Sequence, residues 1–144
     1  MTYSQHCEGC PLHGTGVPVS HKGSTLSRFV VVTDTPSQYN AREGRLLSNS
    51  ASTVLGKAMK AAGFERDDFC YYPQVRCPHE ADQYSTKEKK AIRDHCRPHM
   101  VEFVQRVKPE AVIPLGAEAS RQVLSRAAKI RSEERRVGKE CRSR

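Results

Sequence analysis

The run FVVVT inside SRFVVVTDTP (27–36) puts four apolar residues in succession before a polar turn. An alternating pattern would mark a strand with one wet face, whereas a continuous, β-branched one marks a strand buried on both faces. Residues 29–32 therefore predict a buried strand, with Thr33, Asp34 and Thr35 at its carboxyl end. The next segment, SNSASTVLGKAMKAAG, predicts a helix: Ser and Asn open it, Val54, Leu55, Ala58, Met59 and Ala62 recur at helical spacing, and Gly63 stops it. DDFCYYPQVRCP (67–78) predicts a second strand, with Pro73 at its end or in the loop beyond, since proline has no N–H for a ladder.

Residues 85–109 open with a capping box, Ser85 and Glu88, and carry Ile92, Cys96, Met100, Phe103, Val104 and Val107 on one helical stripe. Cys96 is expected to face inward, and Pro98 to mark a kink or the first turn of a second helix. Residues 111–115 predict a third short buried strand that turns through Gly116 into a helix. Strands alternating with helices predict an α/β fold with a parallel sheet. Ligands in such sheets bind beyond the carboxyl ends of strands, here the loops after Val32, Val75 and Leu115.

A chain of 144 residues suits one domain that can bury a core without disulfides. No apolar stretch approaches the ~18 residues that a membrane span needs. The start, MTYSQHCEGC, lacks the charged and apolar regions of a signal peptide. A soluble, intracellular protein with no membrane association is expected. Twenty-four basic against 16 acidic residues give a net charge of +8, which favours polyanionic partners. The last stretch, RSEERRVGKECRSR (131–144), supplies +3 of this charge and has no amphipathic period. It is read as a non-native or disordered tail and set aside with Cys141, leaving 1–130 as the domain.

Cys7 and Cys10 stand two residues apart near the start, Cys77 follows the second strand, and Cys96 lies on the following helix. In a reducing compartment this pattern favours metal over disulfide. A close pair joined by two distant thiols suits either zinc or an iron–sulfur cluster, and spacing does not separate them. A thioredoxin-like motif would follow a strand, and none precedes Cys7. Cys70, inside a strand, reads as a small buried hydrophobe. His6, His13, His79, His95 and His99 lie near these cysteines and offer alternative ligands, though each taken singly reads as a surface residue.

In order, CEGCPL, GVPVS, VTDTPS, EGRLLSNSASTVL, VRCPHE, IRDHCRPHM and VKPEAVIPLGAEA resemble the motifs of the iron–sulfur uracil-DNA glycosylases of the family 4 and 5 type, with their phage polymerase-associated relatives. The resemblance spans most of residues 6–124. It implies a parallel-sheet sandwich of the uracil-DNA glycosylase type, ending here after its third strand. It implies that Cys7, Cys10, Cys77 and Cys96 hold a structural [4Fe–4S] cluster, with zinc as the alternative.

It also implies a DNA partner, a flipped-out uracil and hydrolysis of the N-glycosidic bond. By position, Asp34 would orient or polarise the water, and the backbone of Thr35, Pro36 and Ser37 would approach the base. Three positions depart from the family pattern. Leu47 stands where the family has a stacking phenylalanine, the uracil-reading asparagine falls on Pro73 with Gln74 as the nearest amide, and the family's histidine motif has no counterpart. The alternative is therefore a catalytically weak or inactive DNA-binding module of the same fold, a monomer serving phage or bacterial DNA replication beside polymerase or other replication proteins in the cytoplasm. Its phosphate contacts would come from Lys87, Lys89, Lys90, Arg93, Arg42, Arg45 and Arg76. A zinc-stabilised domain of unrelated function is the third reading.

Overall fold

The continuous apolar run forms the centre of the sheet. The computed structural model describes residues 3–124 and contains three parallel strands, β1 (Phe29–Thr33), β2 (Phe69–Pro73) and β3 (Ala111–Pro114), in the order β2-β1-β3. Phe29 of β1 lies opposite Phe69 on one side and Ala111 on the other. Helices α1 (Gln38–Arg42) and α2 (Asn49–Ala61) lie between β1 and β2, α3 (Thr86–Val107) lies between β2 and β3, and α4 (Ala117–Leu124) follows β3. The expected α/β architecture with a parallel sheet is present. The 131–144 tail and Cys141 lie outside the described residues.

Because β1 is paired on both edges and covered on both faces, Val30, Val31 and Val32 are at most 1% exposed. Val30 and Val32 point to one face, where they pack with Cys70, Tyr72, Met100, Phe103 and Ala119. Cys70 sits there as a small hydrophobe, as its strand position predicts. The Tyr72 and Phe103 rings stack at 4.6 Å, fastening α3 to β2. On the other face Phe29, Phe64 and Phe69 form a cluster of mutually packed rings. Pro73 ends β2 as expected, and the next N–H, from Gln74, donates to the Thr33 carbonyl.

Helix α3 begins at the predicted capping box: Ser85 Oγ accepts from the Glu88 N–H, and the Glu88 carboxylate accepts from the Ser85 N–H. Its stripe buries Ile92, Cys96, Met100 and Phe103. Pro98 does not begin a second helix; it lies inside α3, which runs on to Val107 because residues on both sides of it are held in buried packing. The turn from β3 into α4 passes through Gly116 at φ +90°, a conformation glycine adopts without a Cβ penalty.

The amino-terminal segment covers the outer edge of β2. Lys22 and Tyr71 exchange backbone hydrogen bonds of 2.9 and 2.7 Å, and the Val19 N–H donates to the Arg76 carbonyl. A bare strand edge invites pairing with other chains, so this strap protects the sheet. It passes close over β2 at Gly23, where a Cβ would lie 3.0 Å from the Phe69 carbonyl oxygen.

One expectation of burial does not hold among the described residues. β3 alternates between exposed and half-buried positions, since among the described residues it is paired along one edge only. Pro114 is tolerated at such an edge. α2 forms with Ser48 as its cap, yet none of its residues is buried, and Val54 is 68% exposed. Its inner contact is Met59, whose sulfur accepts a hydrogen bond from the Tyr71 hydroxyl. No helix among the described residues is long and apolar enough to cross a membrane.

Burial raises the pKa of Cys70, Tyr71 and Tyr72 above their ordinary values of 9.0, 10.0 and 10.0. Groups raised in the folded state keep their protons after the unfolded chain has begun to release them. The stability they contribute is complete below about pH 9 and is lost as pH rises through and beyond the unfolded values. The urea midpoint is expected to be lower at about pH 10.5 than at about pH 8. An unchanged midpoint would show that these groups ionise alike in both states.

Candidate active site and thiol cluster

Cys7 ends a short 3-10 turn, Gln5–Cys7, that is capped by Ser4, and the Cys10 N–H donates to the Cys7 carbonyl. Gly9, at φ +78°, gives the intervening residues their tight path. Close behind this pair, Leu12 is fully buried. It packs with Val75, Cys77, Ile92 and Cys96 in a second apolar cluster, against which Cys10, Tyr3 and Tyr84 rest. A single leucine after the pair was too short a signal to mark a core.

The four thiols are free and lie within electrostatic reach of one another. Burial first, then the neighbouring thiols of Cys96, Cys10 and Cys7, push Cys77 up to about 12. Burial likewise pushes Cys96 up to about 11, against the opposing effect of a hydrogen bond with the Arg76 backbone. Cys10 is also raised, chiefly by burial. Among the described residues, however, no group of three or more His, Cys, Asp or Glu side chains is arranged as a metal site. The donor chemistry still suits a thiophilic centre, with four thiols beside Leu12, Val75 and Ile92.

The histidines support the thiol loops. His95 and His79 donate through Nδ1 to the carbonyls of His6 and Cys77, at 2.9 and 3.0 Å. His6 Nε2 pairs with Glu102, and His13 packs edge-on against Tyr3. His99 departs from the surface reading: it is 9% exposed, because its helical position points it between Cys7 and Arg76. Arg76 donates to its Nδ1, so Nε2 carries the ring proton toward Ser4 Oγ and Cys7 Sγ. Burial, then the Arg76 and His6 charges, lower its pKa.

A cavity of about 350 Å³ opens beyond the carboxyl ends of β1 and β2. Asp34, Thr35 and Ser37 line it from one loop and Gln74 and His79 from the other, while Lys89 and Arg93 reach it from α3 and Glu118 from α4. Asp34 Oδ1 accepts from the Thr35 N–H at 2.8 Å and from Gln74 Nε2 at 3.2 Å. Gln74 Nε2 also donates to Thr35 Oγ1. This fixes the amide: its NH₂ faces the carboxylate, and Oε1 is left without a partner among the described residues although Gln74 is only 5% exposed. A buried acceptor left unsatisfied is costly.

Of the residues singled out in the sequence, this cavity brings together Asp34, Thr35, Ser37 and Gln74. Pro36 is buried and does not line it; Leu47 is half-buried and also lies outside the lining. The sequence reading did not select His79 or Glu118 for this cavity. Lys89 and Arg93, named there as phosphate contacts, share a helix face at i, i+4 spacing. Arg93 pairs with Glu118 at 3.3 Å, and Glu118 also pairs with Arg121. Gln122, one turn beyond Glu118, was also missed. It is 2% exposed and donates from Nε2 to the Gln74 and Arg93 carbonyls, at 3.1 and 3.0 Å.

A family model for the uracil DNA glycosylase superfamily matches residues 21–140. A curated relative, a type-4 uracil-DNA glycosylase of Thermotoga maritima, is 27% identical over 115 residues, covering 78% of this chain and 58% of the relative. The chain thus spans a little over half the length of that protein.

Gln122→Ala removes the side-chain donor from the Gln74 carbonyl in the loop after β2. It is expected to cost about 2 kcal/mol in urea denaturation, and a loss below about 0.5 kcal/mol would show that water replaces the amide.

Proposed function

The chain belongs to the uracil-DNA glycosylase superfamily, and from that membership we propose that it removes uracil from DNA, with Cys7, Cys10, Cys77 and Cys96 holding a [4Fe–4S] cluster. The observation that carries the reading is the buried, unpartnered Oε1 of Gln74 beside Asp34 in a cavity at the strand ends. Uracil flipped from the helix would present its N3–H donor to that oxygen. The Asp34 carboxylate holds the Gln74 amide in this orientation and is itself exposed to solvent, so it can accept a proton from a water beside it.

In the reaction the C1′–N1 bond breaks and its electron pair leaves with the base. Water oxygen forms the new bond at C1′, and its proton passes to Asp34 or to the departing base. Lys89 and Arg93 supply positive charge at the cavity wall for the phosphates of the flipped nucleotide. The cluster, when bound, would cross-link the amino-terminal loop, the loop after β2 and α3; zinc would do the same through the same thiols.

A second reading, a DNA-binding module of weak or no catalytic power, is favoured by one observation. Among the described residues lining the cavity there is no phenylalanine or tyrosine on which a base could stack.

Uracil release from a uracil-containing oligonucleotide is the test. Asp34→Asn is expected to lower kcat/KM by about 100-fold and Gln74→Ala by about tenfold. Salt-sensitive DNA binding with no uracil released by the parent protein would select the second reading.

The thiol assignment has its own readout. Brown protein with broad visible absorption, lost in Cys96→Ser, supports the cluster, and a colourless protein carrying one zinc overturns it.

A further inference from the structure

A second cavity of about 310 Å³ lies between the amino-terminal strap, β2 and the carboxyl half of α3, and Arg76, His99 and Arg106 are among its lining residues. His99 also reaches the thiol cluster: its Nε2 lies 3.5 Å from Cys7 Sγ and 3.2 Å from Ser4 Oγ. Arg76 Nη1 stands 3.3 Å from its Nδ1. A guanidinium offers donors only, so Nδ1 accepts and the neutral ring carries its proton on Nε2. That proton faces the Ser4 hydroxyl oxygen and the Cys7 sulfur.

The ring is held in this place from several sides. It is 9% exposed, and His6 packs edge-on against it with ring centres 5.5 Å apart. Ser4 caps the turn that ends in Cys7, so one contact steadies the backbone of that loop while the other reaches its thiol. The neighbouring sulfurs are served differently. Backbone N–H groups of Leu12 and His13 face the Cys10 sulfur, and that of Arg76 faces Cys96. Cys7 takes a donor from a side chain, which substitution can remove without redirecting the backbone.

We propose, on the assignment of Cys7, Cys10, Cys77 and Cys96 to one metal centre, that His99 is a positioning residue for that centre, donating from Nε2 to the Cys7 sulfur while Arg76 fixes its tautomer. An N–H donor draws charge from a metal-bound sulfur and fixes its orientation. Donors of this kind adjust metal affinity and, at an iron–sulfur centre, the reduction potential. His99 belongs to α3 and Cys7 to the amino-terminal segment, 92 residues away, so the bond forms only when that segment is docked on the helix. Metal uptake and docking of the segment therefore favour each other.

The test loads the reduced full chain with a spin-active cadmium isotope, which thiols bind, and reads the His99 ring by NMR. The expected result is an Nε2–H tautomer and a scalar coupling between that proton and the metal through the Cys7 sulfur. His99→Phe keeps a ring without the donor; it is expected to abolish the coupling and weaken cadmium binding about tenfold. His99→Gln, whose amide can accept from Arg76 and donate to sulfur, is expected to recover part of that loss. An Nδ1–H tautomer, or unchanged affinity in His99→Phe, overturns the proposal. If His99→Phe does not fold, the tautomer and coupling in the parent chain decide alone. Thiol-bound cadmium without the coupling overturns this proposal and leaves the four-thiol assignment standing, whereas a chain that takes up no thiol-bound cadmium overturns both. None of these readouts depends on uracil release, so the glycosylase reading stands or falls separately.

Discussion

After Pro73 ends β2, the chain leaves the ladder pinned by a hydrogen bond from the Gln74 N–H to Thr33, and the next few side chains diverge. Gln74 turns its amide to Asp34, and Val75 enters the small core with Leu12 and Ile92. Arg76 reaches His99, and Cys77 joins the other thiols. The chain bends through residues 74–77, which sends their side chains in different directions, so one short loop serves both cavities and the thiol cluster. Displacing that loop would disturb all three together, and the Gln122 amide that holds the Gln74 carbonyl is one of its few lateral supports.

Helix α3 is the matching constraint from the other side. Its inward stripe carries Ile92 and Cys96 to the second core and Met100 and Phe103 to the first. The flanks of that stripe supply Arg93 to one cavity and His99 to the other. The small core around Leu12 contains three aliphatic side chains and two thiols, a modest apolar area for tying down a long irregular segment. Cross-linking by a bound metal centre would supply much of what that core lacks, because closing a long loop removes conformational freedom from the unfolded chain.

Much of the frame was readable in one dimension. The continuous run at residues 29–32, the proline that stops β2 and the Ser85–Glu88 box each depend on local sterics and hydrogen bonding, and each appears where the pattern put it. Asp34 and Gln74 line one cavity because both follow carboxyl ends of adjacent parallel strands. The misreadings share a cause. Burial of β3 and of His99 is settled by what lies across from each, and periodicity reports only which side of an element is apolar.

Sequence by itself determined the order of strands and helices, the inward face of α3 and the set of four cysteines worth considering together, because these follow from spacing along a chain of fixed geometry. The tertiary structure alone decided that Leu12 would give the amino-terminal pair a core and that Gln74 would keep its NH₂ on Asp34 while its oxygen stood unpaired among the described residues. It also decided that Arg76 and Arg106 would share a cavity. Those outcomes depend on distances between residues tens of positions apart, set by sheet order and by the packing of α3, to which no local pattern in the chain responds.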